Sequence, residues 1–519
     1  MAVPEDVRKV PRPPNTVVLS SKTGRYAVRQ RLGCRYVPRE NGKARRVPID
    51  GPIVGHIENG AYVPLDDIAP LGDEGEVDVK DWANVALCDR LSKDILEDLR
   101  RHYSGDDALR IYIMAVLRCC YEGISDRLLR RQYEETYLTE MYPHVNLQRT
   151  AVSDFLRNLG RSCKRISDFM RGRVKTVGRD DTLVIDGTLQ HDDSSVNSLS
   201  AVSRKTKLTK RQDILVMYAY NATRREPVCA SVYPGNMQDA RAVKSFIEDN
   251  GIDRGLIVAD RGFLPSAVAE ATEGRPEIRW LVPIRRGSDV IAEHDMYSFD
   301  GVLKGRRKIP CRKVRISEDR WLYSFRDPEE AVSEETEYLN TRPDGLDPDF
   351  DELRRGFGTI TFMSNADLDP ELVYSIYDDR WLIELMFRFR KQGQAMDDTR
   401  ENSEYSVMGS DFVDFLANLM GSRMLAHMGD RGLLDNGTYG DAMGLLERLK
   451  MTRVGDGDWK VRRIALVDAE AVEKLGLVSK PTVPNGTITA NGKRRGRPPG
   501  SKDKKPRKSR NASGTVESS

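Results

Sequence analysis

The chain has 519 residues, of which 39% are hydrophobic and 31% charged, and this length allows two to four domains with at least one large core. No apolar run approaches the roughly 20 residues that span a bilayer, and the start, Met1 to Glu5, lacks a signal-peptide pattern, so we expect a cytoplasmic protein with no membrane partner. The seven cysteines form no CxxC pair, which argues against a disulfide framework or a cysteine zinc site.

Positive charge is concentrated near the C-terminus. The net charge is +3, but Lys493–Arg510 holds ten basic residues and one acid, a local +9 that leaves −6 for the rest. The composition from Ser479 onward predicts a disordered tail. Within it, Arg495-Gly496-Arg497-Pro498 resembles an AT-hook, whose arginines favour the narrow minor groove of A·T-rich DNA. The alternative is a solubilising tail that attracts phosphates without specificity.

The first 175 residues fall into two regions. Asn41-Gly42 and Asn59-Gly60 separate strand-like runs, and Asn-Gly is a strong hairpin signal because both residues tolerate positive φ. We therefore predict two hairpins within residues 23–64. From residue 84 the apolar spacing is near 3.6, which predicts helices. Residues 125–159 could form a helix-turn-helix-like unit that binds DNA, or simply part of a helical bundle.

From residue 181 the pattern becomes that of an α/β sheet. TLVID (182–186) and GLIVAD (255–260) are apolar runs that each end in an aspartate, Asp186 and Asp260. Further strands are predicted at 213–222, 227–235 and 280–286, and a helix at 239–249. Two strands that end in Asp suggest chemistry at one edge of the sheet. Arg285 and Arg286 close the last strand, where they either approach DNA or are ordinary surface residues.

The segment YDDRWLIELMFRFRK (377–391) predicts a helix that is apolar over most of its circumference. At about 100° per residue, a charged stripe lies within roughly 60° on one face and consists of Tyr377, Arg380, Glu384 and Lys391, with Arg388 beside it. An Arg380–Glu384 pair at i,i+4 would be the plain structural explanation. However, Glu384 also provides a third carboxylate to accompany Asp186 and Asp260.

Three converging carboxylates repel one another unless cations lie between them. Mg²⁺ prefers carboxylate oxygens, with water and substrate phosphate completing its shell. Two such ions can activate an attacking oxygen and stabilise a leaving one in phosphodiester chemistry. The basic residues of the stripe would then contact phosphates of the polymer.

This pattern resembles the DDE transposases of prokaryotic insertion sequences, in particular the group with the Y-x2-R-x3-E-x6-K signature (the insertion-sequence-four type). Tyr377, Arg380, Glu384 and Lys391 satisfy every spacing of that signature. VIDGT (184–188) and VADRGF (258–263) resemble the two Asp motifs, and YPGNMQD (233–239) resembles the family's P-G-N-x-x-D element. The resemblance covers roughly residues 180–430.

The resemblance implies an RNase H-like catalytic core, with Asp186 on the first strand, Asp260 after the fourth strand and Glu384 on the following helix. These three residues would hold two Mg²⁺ ions, for which Mn²⁺ can substitute. The DNA contacts implied are Thr188, Arg261, Tyr377, Arg380, Arg388 and Lys391, to which the tail adds Arg495 and Arg497. The partners implied are transposon terminal inverted repeats and target DNA, bound by a homodimer on paired ends at the nucleoid.

The predicted fold class is α/β: an RNase H-like core interrupted by a mostly β insertion and preceded by a small β module and a helical region. The boundaries are a β-hairpin module at 1–83, a helical DNA-end-binding region at 84–175, core at 176–286, insertion at 287–366, core and C-terminal helices at 367–478, and the tail at 479–519.

The predicted function is cut-and-paste transposition. The alternatives are a catalytically inactive, transposase-derived DNA-binding protein and another RNase H-like metal-dependent nuclease.

Overall fold

The computed structural model describes residues 3–19, 26–39, 42–64, 77–192, 194, 196–203, 206–260, 262–305, 307–341, 349–379, 381–388, 399, 401, 403–435, 437–462 and 464–477. The chain divides into two compact units. The first comprises Met1–Val79 and Thr452–Lys460, and the second comprises Lys80–Met451 and the residues from Val461 onward.

The first unit contains a four-stranded antiparallel sheet of order β1-β2-β3-β4 around the buried residues Val28 and Ile57. Asn59 and Gly60 connect β3 to β4 with φ of 49° and 78°, as the hairpin signal predicts. The other predicted hairpin turn, at Asn41-Gly42, falls partly on residues 40 and 41, which lie outside the described residues. The elements are α1 (Glu5–Lys9), β1 (Thr16–Val18), β2 (Tyr26–Arg39), β3 (Gly42–Glu58), β4 (Ala61–Pro64) and β5 (Val77–Asp81).

The second unit begins with helices whose apolar faces pack on one another. α3 carries eleven buried residues and packs against α2, and Ser104 caps its N-terminus by accepting a hydrogen bond from the Asp107 N–H. The helices are α2 (Ala83–Arg100), α3 (Gly105–Cys120), α4 (Leu129–Glu135), α5 (Leu138–Met141), α6 (Arg149–Arg161) and α7 (Cys163–Val174).

A ten-stranded sheet forms the centre of the second unit, and its order is β12-β13-β14-β15-β11-β10-β6-β8-β7 with β9 paired to β8. β6, β10 and β11 are mutually parallel, whereas β8 is antiparallel to both β6 and β9. The elements of this part are β6 (Thr182–His191), β7 (Ala201–Val202), β8 (Gln212–Asn221), β9 (Glu226–Pro234), α8 (Asp239–Asn250), β10 (Gly255–Ala259), α9 (Pro265–Ala271) and β11 (Ile278–Ile284).

The described part of residues 287–366 contains as much helix as strand, so the expectation of a mostly β segment is wrong. The glutamate-rich middle forms α11, which begins at Pro328 with Glu329 and Glu330 in its first turn, where the helix dipole favours acids. The strands extend the central sheet through β15, which pairs with β11. The elements are α10 (Asp289–Glu293), β12 (Gly301–Val302), β13 (Pro310–Ser317), β14 (Arg320–Arg326), α11 (Pro328–Thr341), α12 (Phe350–Arg355) and β15 (Thr359–Ser364).

The remaining elements are mainly helical. The 27-residue α15 packs against α2, α3, α6 and β9, and its middle is buried on all sides. A small sheet has the order β17-β16-β5. In the described part of the chain, no helix has the length and apolar character needed to cross a membrane. The elements are α13 (Pro370–Asp379), α14 (Trp381–Arg388), α15 (Glu404–Asp430), α16 (Tyr439–Glu447), β16 (Lys450–Val454), β17 (Lys460–Val461) and α17 (Leu466–Lys474).

Candidate active site

The two aspartates that close apolar runs lie side by side in the sheet. β6 and β10 are parallel, with Val184 opposite Val258 and Ile185 opposite Ala259. The next residue on each chain segment is Asp186 or Asp260. The register therefore puts the two aspartates at equivalent positions at the end of the shared ladder. They lie on neighbouring strands, which are about 4.8 Å apart in a sheet.

The local sequence explains why these aspartates emerge there. The apolar residues before them are at most 2% exposed, which fixes both strands in the core, whereas Asp186 and Asp260 are half-buried. An Asp186 carboxylate oxygen (Oδ1) accepts a hydrogen bond of 2.7 Å from the Gly187 N–H. After Asp260 the chain turns, and the Phe263 N–H donates to the Asp260 carbonyl at 2.9 Å. The turn ends the β10 ladder directly before the carboxylate.

Both aspartates line one cavity of about 830 Å³. Asn236 and Gln238, from the P-G-N-x-x-D element, also line it. Arg285, the residue directly after β11, also lines it. The neighbouring Arg286 is different, because both its terminal nitrogens donate to Glu334 at 2.8 Å. The structure therefore distinguishes two arginines that the sequence left equivalent.

The helix that carries Glu384 packs against the strand that carries Asp186. Tyr218 of β8 lies directly opposite Asp186, and directly opposed residues of an antiparallel pair project on the same face. The Tyr218 ring contacts Phe387 of α14 edge-on, with centroids 5.8 Å apart. Glu384 is exposed and lies one turn before Phe387. α14 thus lies on the face of the sheet to which Asp186 points.

Tyr377 lies on α13, which ends at Asp379, one position before the undescribed residue 380. It is half-buried, and its ring packs edge-on against Phe362 of β15 at 5.0 Å. The predicted single helix over 377–391 is described as two helices, with residue 380 outside the described residues. Among the side chains of α14 that the structure describes, Ile383, Met386 and Phe387 are buried, and the apolar arc predicted for this segment includes all three.

The other residues predicted to contact DNA differ in how much of them the structure describes. Thr188 is only 6% exposed, which leaves little of its side chain for a phosphate. Arg388 lies in α14, and nothing of its side chain is described. The predictions that lie outside the described residues are Arg261, Arg380, Lys391, Arg495 and Arg497.

The donor set fits a hard divalent cation. Asp186 and Asp260 are half-buried carboxylates on adjacent strands and share a cavity. Oxygen-only donors of this kind suit Mg²⁺ or Mn²⁺. A cation would also relieve the repulsion between two carboxylates held so close together.

Residues 178–404 match the model of the family described as Transposase DDE domain, and this match supports a DDE transposase. The matched segment contains Asp186, Asp260 and Glu384. Among the curated proteins, none matches the chain. The solved structures that match include the cryo-EM structure of a piggyBac transposase synaptic complex with hairpin DNA. The TM-score is 0.38 with 12% identity, over 70% of this chain and 79% of that one.

Proposed function

We propose that this protein is a cut-and-paste DNA transposase, which cleaves DNA at transposon ends and joins the exposed ends to target DNA. The observation that carries the proposal is the pair Asp186 and Asp260. They follow matched positions of two neighbouring parallel strands, line one cavity, and lie within the segment that matches the Transposase DDE domain.

We further propose that the central strands form an RNase H-like core. The order β9-β8-β6-β10-β11, with three antiparallel strands followed by two parallel ones, supports this assignment. Asp186 then belongs to the first strand of the core, and Asp260 follows the fourth if the two-residue β7 is set aside. In this assignment β12–β15 widen the sheet beyond the core.

Asp186, Asp260 and Glu384 are the proposed ligands of two Mg²⁺ ions, which Mn²⁺ can replace. Bound divalent ions supply Lewis-acid stabilisation of the attacking and leaving oxygens in phosphodiester chemistry. The packing of α14 against β6, together with the Tyr218–Phe387 contact, supports including Glu384. The half-buried aspartates would fix the ligand oxygens in position before DNA binds.

The cationic side chains near this site are the proposed phosphate contacts. Arg285 lines the cavity with the two aspartates, and a guanidinium can donate two hydrogen bonds to one phosphate. The sequence adds Arg261, Arg380, Arg388 and Lys391, with Tyr377 as a hydroxyl donor. Thr188 is a weaker candidate because of its burial.

The remaining proposals concern the partners of the protein. DNA is the proposed partner, as terminal inverted repeats and as target, bound by a homodimer on paired ends. Arg495 and Arg497 are the proposed minor-groove contacts of the tail, and a nucleoid location would follow from DNA binding. The sequence resemblance and the basic tail support these proposals.

The direct test uses the full chain and a labelled duplex that carries the DNA flanking the gene, in the presence of Mg²⁺. Wild-type protein should nick the duplex at the repeat boundary. Asp186→Asn and Asp260→Asn should each lower the rate by about a hundredfold or more, because loss of metal ligation removes several kcal/mol of transition-state stabilisation. DNA binding, measured by gel shift, should persist.

The matched control is Asp180→Asn, since the Asp180 side chain is 98% exposed and lies before the same strand. It should cleave like the wild type. An Asp186→Asn protein that still nicks at the wild-type rate would refute the catalytic assignment. If Glu384→Gln cleaves at the wild-type rate while both aspartate variants do not, the assignment of Glu384 as the third metal ligand is wrong.

A further inference from the structure

Three cysteine thiols meet in the core of the helical region. Cys88 lies in α2, and Cys119 and Cys120 are the last two residues of α3. Their Sγ atoms all lie within 4.8 Å of one another. None of the three residues is more than 5% exposed. This cluster belongs to no part of the proposed catalytic machinery.

The pairing of two helices explains the convergence. α2 and α3 pack together, so Cys88 in the second turn of α2 lies beside the end of α3. Consecutive helical residues project about 100° apart, yet the Cys88 thiol lies within 4.8 Å of both the Cys119 and the Cys120 thiol. The Met424 sulfur, from α15, lies 3.8 Å from the Cys119 sulfur. Three helices therefore contribute sulfur atoms to one point.

This environment differs from that of an ordinary buried thiol. Cys229 is also buried, and burial raises the pKa of its thiol, as expected for a cysteine that only packs. In the cluster, by contrast, each thiol lies within 4.8 Å of two other thiols, and the Met424 thioether lies 3.8 Å from the Cys119 sulfur. A thiolate is the form that binds metals.

We propose that Cys88, Cys119 and Cys120 form a binding site for one thiophilic d¹⁰ metal ion, with the thioether of Met424 beside it. Metal–sulfur bonds of about 2.3 Å in a tetrahedral site require sulfur atoms about 3.8 Å apart. The observed limit of 4.8 Å needs a contraction of no more than about 1 Å to reach that spacing. The thiol protons would pass to solvent when the ion binds.

The donors favour a soft ion. Three thiolates and a thioether offer sulfur alone, which suits Cu⁺ ahead of Zn²⁺. Among the described residues, the group of potential ligands at this point contains no histidine or carboxylate. The ion would join α2 and α3 and would bind only to the folded chain, so it would stabilise that state.

The test titrates reduced full-length protein with Cu⁺ buffered by a chelator and, in a separate arm, with Zn²⁺. We expect one ion per chain, sulfur-to-metal charge-transfer absorption in the Cu⁺ arm, and a higher thermal unfolding midpoint. Cys88→Ala and Cys120→Ala should each weaken binding by roughly tenfold or more. Cys229→Ala (a buried thiol elsewhere) and Cys163→Ala (an exposed one) should bind like the wild type.

A second measurement, alkylation of the cysteines, uses the wild-type protein alone. Wild-type protein in mild urea is alkylated with and without the ion, and the modified cysteines are identified by mass spectrometry. The ion should protect Cys88, Cys119 and Cys120 but leave Cys163 as reactive as before. Equal labelling in both samples, or stoichiometric binding by the triple alanine variant, would overturn the proposal. Both readouts are independent of DNA cleavage.

Discussion

Gly160 of α6 and Gly409 of α15 lie at a crossing where neither residue has room for a Cβ atom. A Cβ on Gly160 would overlap the Tyr405 carbonyl oxygen, and a Cβ on Gly409 would overlap that of Leu156. The two helices therefore approach backbone to backbone. This contact fixes α15, the central helix of the second unit, against the helical region.

Gly409→Ala should destabilise the protein by about 2 kcal/mol or more, because the added methyl group must push two helices apart. The measurement is the urea midpoint followed by circular dichroism. Gly444→Ala is the matched control: Gly444 lies in α16 and has open space around it. There alanine should raise stability by about 0.5–1 kcal/mol through helix propensity. Equal effects of the two substitutions would contradict the close crossing.

Arg118 joins α3 to α15 through a buried ion pair. Its guanidinium donates to Asp414 at 2.7 Å and to Asp126 at 2.9 Å, and its side chain is 7% exposed. Burial acts to lower the pKa of Arg118, but the two carboxylates outweigh it and raise the pKa above its ordinary value. Arg118→Met should cost about 3–5 kcal/mol, since it leaves Asp414 buried and unpaired.

Combining Arg118→Met with Asp414→Leu should recover much of that loss, because no uncompensated charge then remains at Asp414. Chemical denaturation of the single and double variants provides the check. The exposed pair Arg225–Asp430, with side chains 45% and 56% exposed, serves as a control, and Arg225→Met should change stability far less. A double variant no more stable than Arg118→Met would argue against the ion-pair explanation.

Arg285→Ala should slow DNA cleavage, since Arg285 is the described arginine that lines the cavity with Asp186 and Asp260. Loss of one charge-assisted contact to phosphate is worth about 1.5–3 kcal/mol, or roughly tenfold to a hundredfold in rate. Arg279→Ala is the control on the same strand, because Arg279 lies at the other end of β11 and donates to the Arg179 carbonyl. If both variants cleave alike in single-turnover assays, Arg285 has no special role.

Arg495→Ala combined with Arg497→Ala should weaken binding to A·T-rich duplex more than binding to G·C-rich duplex. It should also reduce the slope of log K against log salt by about two, because two phosphate-proximal charges are lost. Arg507→Ala with Lys508→Ala removes the same charge from the same tail. If this pair has the same effect on A·T preference, the tail binds by charge alone.

The sequence alone was enough to predict the two strands that carry Asp186 and Asp260. TLVID and GLIVAD are short apolar runs, and each must be buried as a strand. Both strands were expected to end at their aspartate; β10 does so, but β6 continues past Asp186 to His191 because β8 pairs with it along that length. The structure describes strands at both sites, β6 and β10, with Asp186 inside the first and Asp260 after the second. The Asn59-Gly60 turn followed from local chemistry in the same way, because few other residues adopt positive φ at both positions.

Local sequence patterns were not enough to predict secondary structure where helix and strand signals compete. Residues 328–341 are rich in glutamate and formed a helix in a segment expected to be mostly β. Their acidic first turn is a helix-start signal, and the helix lies between the strands β14 and β15. The outcome depended on the helix dipole and on contacts such as Arg286–Glu334, which join residues far apart in sequence.

Which residues lie next to one another became clear from the three-dimensional packing alone. Strand register brought Asp186 beside Asp260, and the packing of α14 on β6 brought the Glu384 helix to the same face. Helix pairing assembled Cys88, Cys119 and Cys120, although the sequence spacing argued against a cysteine site. Burial and turn chemistry are local properties of a chain, whereas register and helix crossing depend on how distant surfaces fit together. Sequence patterns therefore identified candidate side chains, and packing determined their neighbours.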